Sequence, residues 1–149
     1  MTEITILVLV LAAALAVGLL LRYRAGRVRT SAAPADSVAA GDRGKLLAAV
    51  GVTGEAPAVL HFSADWCGPC EAVRRVVAGV VADLSQAPQP PLDIEVDIDA
   101  EPALAKELNV LSLPTTFIFD ARGRERFRIS GVPKATDLHS ALTPLTAAA

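Results

Sequence analysis

Cys67 and Cys70 are the only cysteines in the chain, and Gly68 and Pro69 separate them. A bridge between residues this close restrains little of the unfolded chain, so stapling is a poor reason for the pair. Sulfurs at this spacing can bind a metal, attach a haem or exchange electrons as a dithiol and disulfide. A closed zinc site wants four ligands. No third Cys is present, and His61 and His139 fall in a predicted strand and a predicted helix far apart in the chain. Haem attachment wants a His directly after the second Cys, and Glu71 stands there. Thiol–disulfide exchange needs only two sulfurs and a way to ionise one of them.

The surrounding pattern supplies that way. Ala58 to Phe62 is a continuous apolar run interrupted only by His61, as in a buried central strand. From Cys67 to Leu84 the spacing turns helical, with Val73, Val76, Val77, Val80, Val81 and Leu84 in one stripe. Cys67 is therefore expected at a helix start, where unpaired N–H groups and the helix dipole favour a thiolate. Cys70, one turn on, is expected to face inward and keep its proton longer.

Further along, Leu92 to Ile98 alternates, with Asp93, Glu95 and Asp97 on the polar face of a strand. Glu101 to Leu108 reads as a short helix with Pro102 in its first turn. Thr115 to Phe119 is a strand, Ala121-Arg122-Gly123 a turn, and Arg124 to Ile129 a strand with Arg124, Arg126 and Arg128 on one face. That row suits a charged sheet edge or a site for an acidic partner. Lys134 to Leu142 is the last helix, expected to stop near Pro144. Strand, helix, strand, helix, strand, strand, helix predicts an α/β fold: a mixed sheet with helices on both faces.

The N-terminal part differs. Ile4 to Leu21 carries no charge. As a helix it is about 27 Å long, near the hydrocarbon thickness of a bilayer. Glu3 precedes it, and Arg22, Tyr23, Arg24, Arg27 and Arg29 follow. A cleaved signal peptide wants the reverse flanks, and a helix apolar all round rarely suits the core of a small domain. Residues 4–21 are expected to be a transmembrane anchor touching lipid. Residues 22–44 read as a basic linker, in which 26–30 could form a short first strand, and 45–145 as the catalytic domain. By the positive-inside rule the domain would be cytoplasmic on a single-pass cell-membrane protein. A net charge of −2 over 149 residues gives no reason to expect nucleic acid.

Trp66-Cys67-Gly68-Pro69-Cys70, behind a buried strand and before a helix, resembles the thioredoxin family. Leu113-Pro114-Thr115 before an apolar strand, and Gly131 between the last strand and helix, strengthen the likeness over roughly residues 45–145. The resemblance implies a thioredoxin-like three-layer fold and a cis bond before Pro114, beside the cysteines. It implies Cys67 as the attacking sulfur and Cys70 as the resolving one. Trp66, Gly68, Pro69, Leu113, Pro114 and Thr115 would shape the site and hold the substrate chain. No cofactor or metal is implied. The partners would be disulfide-containing proteins, with a thioredoxin reductase or another dithiol as electron donor. The Gly-Pro centre is that of the family's reducing members.

The sequence departs from the family at four places. An Asp/Lys pair on adjoining strands is replaced by His61 and Glu95, an aromatic by Ser63, and a helix-kinking proline by Arg75. Two readings of His61 stand: a core histidine satisfied by one hydrogen bond, or a base, oriented by Glu95, that relays the proton of Cys70. The function expected is membrane-tethered reduction of protein disulfides. An extracytoplasmic relative serving cytochrome maturation or disulfide repair, and a non-catalytic adaptor using the same groove, are the alternatives. The Arg flank opposes the first, and the intact cysteines oppose the second.

Overall fold

The computed structural model describes residues 2–24, 26–30 and 41–147. One five-stranded sheet, ordered β1-β5-β4-β2-β3, carries the fold. Its strands are β1 (Arg29–Thr30), β2 (Ala58–Ser63), β3 (Leu92–Asp97), β4 (Thr115–Phe119) and β5 (Glu125–Ser130). β2 pairs with β3 in parallel, and the β2–β4, β4–β5 and β5–β1 pairs are antiparallel. The expected mixed sheet is present.

Alternation along the strands splits the core in two. Leu60 and Phe62 of β2, Val96 of β3 and Phe117 and Phe119 of β4 point to one face. There they meet Leu47 of α2 (Asp42–Ala49) and Leu104 and Ala105 of α4 (Pro102–Glu107). Val59, Ile118 and Ile129 point to the other face, against Val73, Val77 and Val80 of α3 (Cys70–Asp83) and Leu138 and Leu142 of α5 (Ala135–Thr146). Phe62, Phe117 and Phe119 are fully buried, each worth about 1.5–3 kcal/mol in area removed from water. These layers make the central strand β2 rigid, and the cysteine motif leaves from its C-terminal end.

Three expectations are corrected. Cys67 lies outside α3, whose first residue is Cys70. Pro69 disfavours helical geometry at the residue before it, so the helix cannot start earlier. The Cys70 N–H instead closes a turn on the Cys67 carbonyl (3.2 Å).

The Arg row on β5 is not a bare sheet edge, because β1 pairs outside it, Arg29 opposite Arg128. Arg124 and Arg126 converge on the buried carboxylate of Asp120, and Arg128 stacks over Phe117 and donates to the Leu108 and Asn109 carbonyls. The charged edge is β3, with its acidic face.

The last helix runs through Pro144 to Thr146. Proline removes one helix donor, but buried Thr146 bonds the Thr143 carbonyl and accepts the Gln89 N–H, holding the final turn.

Within the expected linker, Gly26 donates to the Ser130 carbonyl (2.7 Å) and β1 joins the sheet. α2 opens at Asp42, and residues 31–40 of that linker lie outside the described residues.

α1 spans Thr2–Arg24. Its side chains are described from Ile4 to Leu20 and all of them are exposed. That stretch is about 26 Å long. Among the described residues, no helix is long and apolar enough to cross a membrane.

Candidate active site

Strand β2 delivers Ser63 and Ala64, still buried, to the end of the sheet. A turn through Asp65 and Trp66 follows, closed by the Cys67 N–H on the Ala64 carbonyl (3.0 Å). Cys67 and Cys70 form a disulfide with Cα atoms 5.5 Å apart. Cys67 is half-buried, whereas Cys70 is 1% exposed. The Cys70 Sγ lies 3.9 Å from the Phe62 carbonyl oxygen, against the end of β2. One sulfur is reachable and the other is shielded beneath α3.

The second motif arrives at the same end from the next strand. The Leu113–Pro114 bond is cis, as the resemblance implied. Pro114 and Thr115 are buried, and Leu113 is half-buried. Thr115 pairs with Phe62 on β2 and with Ser130 on β5, and its hydroxyl donates to the Ser112 carbonyl (2.7 Å). The Gly131 N–H donates to the Pro114 carbonyl (2.8 Å). The cysteine turn, the Pro114 segment and Gly131 therefore share one end of the sheet.

Gly68 and Pro69 are exposed on the turn, and Trp66 is 70% exposed. The Trp66 Nε1–H donates to Asp99 (3.1 Å), which follows the end of parallel strand β3 and so reaches the same place. Leu111, 85% exposed, lies just ahead of the Pro114 segment.

His61 sits where the strand pattern put it, but its partner is different. Its ring is buried on the α3 face, and Nε2 meets Asp93 Oδ1 at 3.0 Å. A carboxylate only accepts, so Nε2 donates to Asp93. Glu95 is opposite His61 in the ladder, yet its carboxylate is taken by Arg74 Nε at 2.7 Å and by the Ser63 hydroxyl. Partial burial pushes the Glu95 carboxyl up. The Ser63 and Arg74 hydrogen bonds and the Arg74 charge outweigh it, and the carboxyl is held below its ordinary range. The expected His61–Glu95 pair is thus corrected to His61–Asp93: Arg74, from the helix above, outcompetes the imidazole for Glu95.

Sequence reasoning missed Asp93, Asp99 and Thr116. Thr116 pairs with His61 across β2 and β4, and its buried hydroxyl has no hydrogen-bond partner among the described residues. The signal for Asp93 was its place two residues before Glu95 on one face of an acidic strand. Nothing in the one-dimensional pattern marks Thr116.

The family profile for thioredoxin matches residues 49–144. Thioredoxin H2 of Arabidopsis thaliana is 36% identical over 76 residues, which are 51% of this chain but only 53% of that protein. Thioredoxin of Pyropia yezoensis is 35% identical over 81 residues, 54% of this chain and 72% of its own length. Among solved structures, a mutant thioredoxin from Halobacterium salinarum superposes with a TM-score of 0.57 at 26% identity, covering 68% of this chain and 85% of its own. Chloroplastic thioredoxin z shares the fold at a TM-score of 0.57 and 23% identity, over 68% of this chain and 88% of its own. The half-buried and buried sulfurs, the cis-proline segment beside them and the matched profile lead to one conclusion: the chain belongs to the thioredoxin family, with Cys67 and Cys70 as its redox pair.

Proposed function

We propose that the chain reduces disulfides in partner proteins, cycling Cys67 and Cys70 between dithiol and disulfide. The observation that carries this is the reachable Cys67 closed onto a shielded Cys70 beside the Pro114 segment. In the dithiol state the Cys67 thiolate attacks a substrate disulfide, forming one S–S bond and expelling the other substrate sulfur as a thiolate. Cys70 loses its proton and attacks Cys67. The mixed disulfide breaks, the second substrate sulfur leaves, and the Cys67–Cys70 bond forms. Two electrons pass to the substrate, and an external dithiol, of thioredoxin reductase type or similar, must return them.

His61 takes the proton of Cys70 in this scheme, with Asp93 holding the imidazole. The ring lies on the face of β2 beneath α3, and its chain neighbour Phe62 touches the Cys70 sulfur. Imidazole suits a base near neutrality. Trp66, Gly68, Pro69, Leu113, Pro114 and Thr115 form the surface that receives the substrate chain. The test is insulin reduction with dithiothreitol. The wild type accelerates it, and Cys67→Ser abolishes the acceleration; full activity in the variant ends the reading.

The helix α1 is a membrane anchor in the same proposal. Its support is the uncharged sequence of residues 4–21, the exposed apolar surface of residues 4–20 and the Arg-rich flank. That flank favours a domain on the cytoplasmic side of the cell membrane. Labelling intact cells with an impermeant thiol reagent checks it; rapid modification of Cys67 from outside overturns this orientation.

A further inference from the structure

The segment after α1 is docked at the redox end of the sheet. Gly26 is buried, and its N–H donates to the Ser130 carbonyl at 2.7 Å. Its φ is +78°, and a Cβ there would clash with the Val132 carbonyl oxygen. Only glycine fits so close an approach. From Gly26 the chain runs antiparallel to β5, with Arg29 opposite Arg128 and Thr30 opposite Phe127. The chain thus enters the domain beside Ser130 and moves away from the redox pair.

Ser130 lies opposite Thr115, and Thr115 lies opposite Phe62, whose carbonyl touches Cys70 Sγ. Three strand spacings, about 14 Å, therefore separate the entry point from the strand that carries the cysteines. α1 ends at Arg24, and two residues reach at most about 7 Å. A free linker over residues 22–44 would instead leave the domain in any orientation.

We infer that this docking holds Cys67 within roughly 30 Å of the end of α1 and in a fixed orientation, so that the substrates are disulfides of membrane proteins at the bilayer surface. The inference rests on the membrane reading and the reductase reading above. A docked entry beside the Pro114–Gly131 edge turns the redox end of the sheet toward the surface from which the anchor emerges. Disulfides presented at that height meet a high effective concentration of Cys67, and those carried far above it do not.

The test uses the full chain in lipid vesicles. One substrate is a disulfide peptide anchored at the bilayer surface; the other carries the same disulfide on a long stalk. Flotation and insulin reduction are measured alongside. The wild type is expected to reduce the near disulfide roughly tenfold faster than the far one. Gly26→Val, which undocks the segment, and a flexible Gly/Ser spacer of about twenty residues between Ala25 and Gly26 each bring the ratio toward one. Insulin reduction stays unchanged in both. A chain that floats and reduces insulin but treats both disulfides alike overturns this inference alone, as does a ratio that neither variant alters. Failure to float overturns the anchor and the inference together. Flotation without insulin reduction overturns the reductase reading and takes the inference with it.

Discussion

His61 Nε2 meets Asp93 Oδ1 at 3.0 Å, while Glu95, the residue opposite His61 in the strand pair, is held by Arg74 and Ser63. The ring is 3% exposed and the carboxylate 33%, so the pair joins the buried space under α3 to solvent. In the proposed scheme, a buried group bonded to a half-exposed one gives the proton of Cys70 a way out.

His61→Ala is expected to slow resolution of the mixed disulfide roughly 10²-fold at neutral pH, with the attack by Cys67 little changed. Asp93→Asn loses less, because the imidazole remains but is no longer held by a charge. Glu95→Gln loses less again. Stopped-flow reduction across neutral pH reads all three. Equal resolution rates in His61→Ala and the wild type would leave His61 as a core residue only.

Asp120 organises the β4–β5 connection. Oδ1 accepts the Arg122 and Arg124 N–H groups, and Oδ2 accepts from the side chains of Arg124 and Arg126. Burial pushes its carboxyl up, but these bonds together hold it below the ordinary range. A carboxyl depressed in the folded state stabilises fully above its unfolded value, near ~4, and loses that contribution as pH falls through the folded value. Asp120→Asn is expected to cost about 2 kcal/mol at pH 7. The gap between variant and wild type should shrink below about pH 4. Urea unfolding at several pH values measures it; a gap independent of pH would contradict the assignment.

Thr116→Val removes a buried hydroxyl that has no partner among the described residues and keeps its shape. An unsatisfied hydroxyl costs about 1 kcal/mol or more, so the variant is expected to be more stable by about 1 kcal/mol, raising Tm by several degrees. A lower Tm would show that the hydroxyl makes an interaction in solution.

The chain's order of elements was readable because each strand and helix carries its own period. Ala58–Phe62 and Thr115–Phe119 are continuous apolar runs, and the valine stripe of α3 repeats at helical spacing. Trp66-Cys67-Gly68-Pro69-Cys70 with Leu113-Pro114-Thr115, through their resemblance to the thioredoxin family, pointed to the chemistry. What stayed hidden depends on neighbours distant in sequence. Asp93 rather than Glu95 holds His61 because Arg74 comes down from another element. The Arg row on β5 looked like an edge because nothing local shows that residues 29–30 pair there. Helix α5 passes Pro144 because Thr146 is buried and bonded at its far end. The docking of Gly26 depends on a backbone approach that no composition records.

The division of labour between the two sulfurs is tested most directly by trapping. Cys70→Ser and Cys67→Ser are each mixed with a disulfide substrate, and the covalent adducts are read by mass spectrometry. A stable adduct through Cys67 in Cys70→Ser, and none in Cys67→Ser, is the expected result. An adduct formed only through Cys70, in Cys67→Ser, would contradict it.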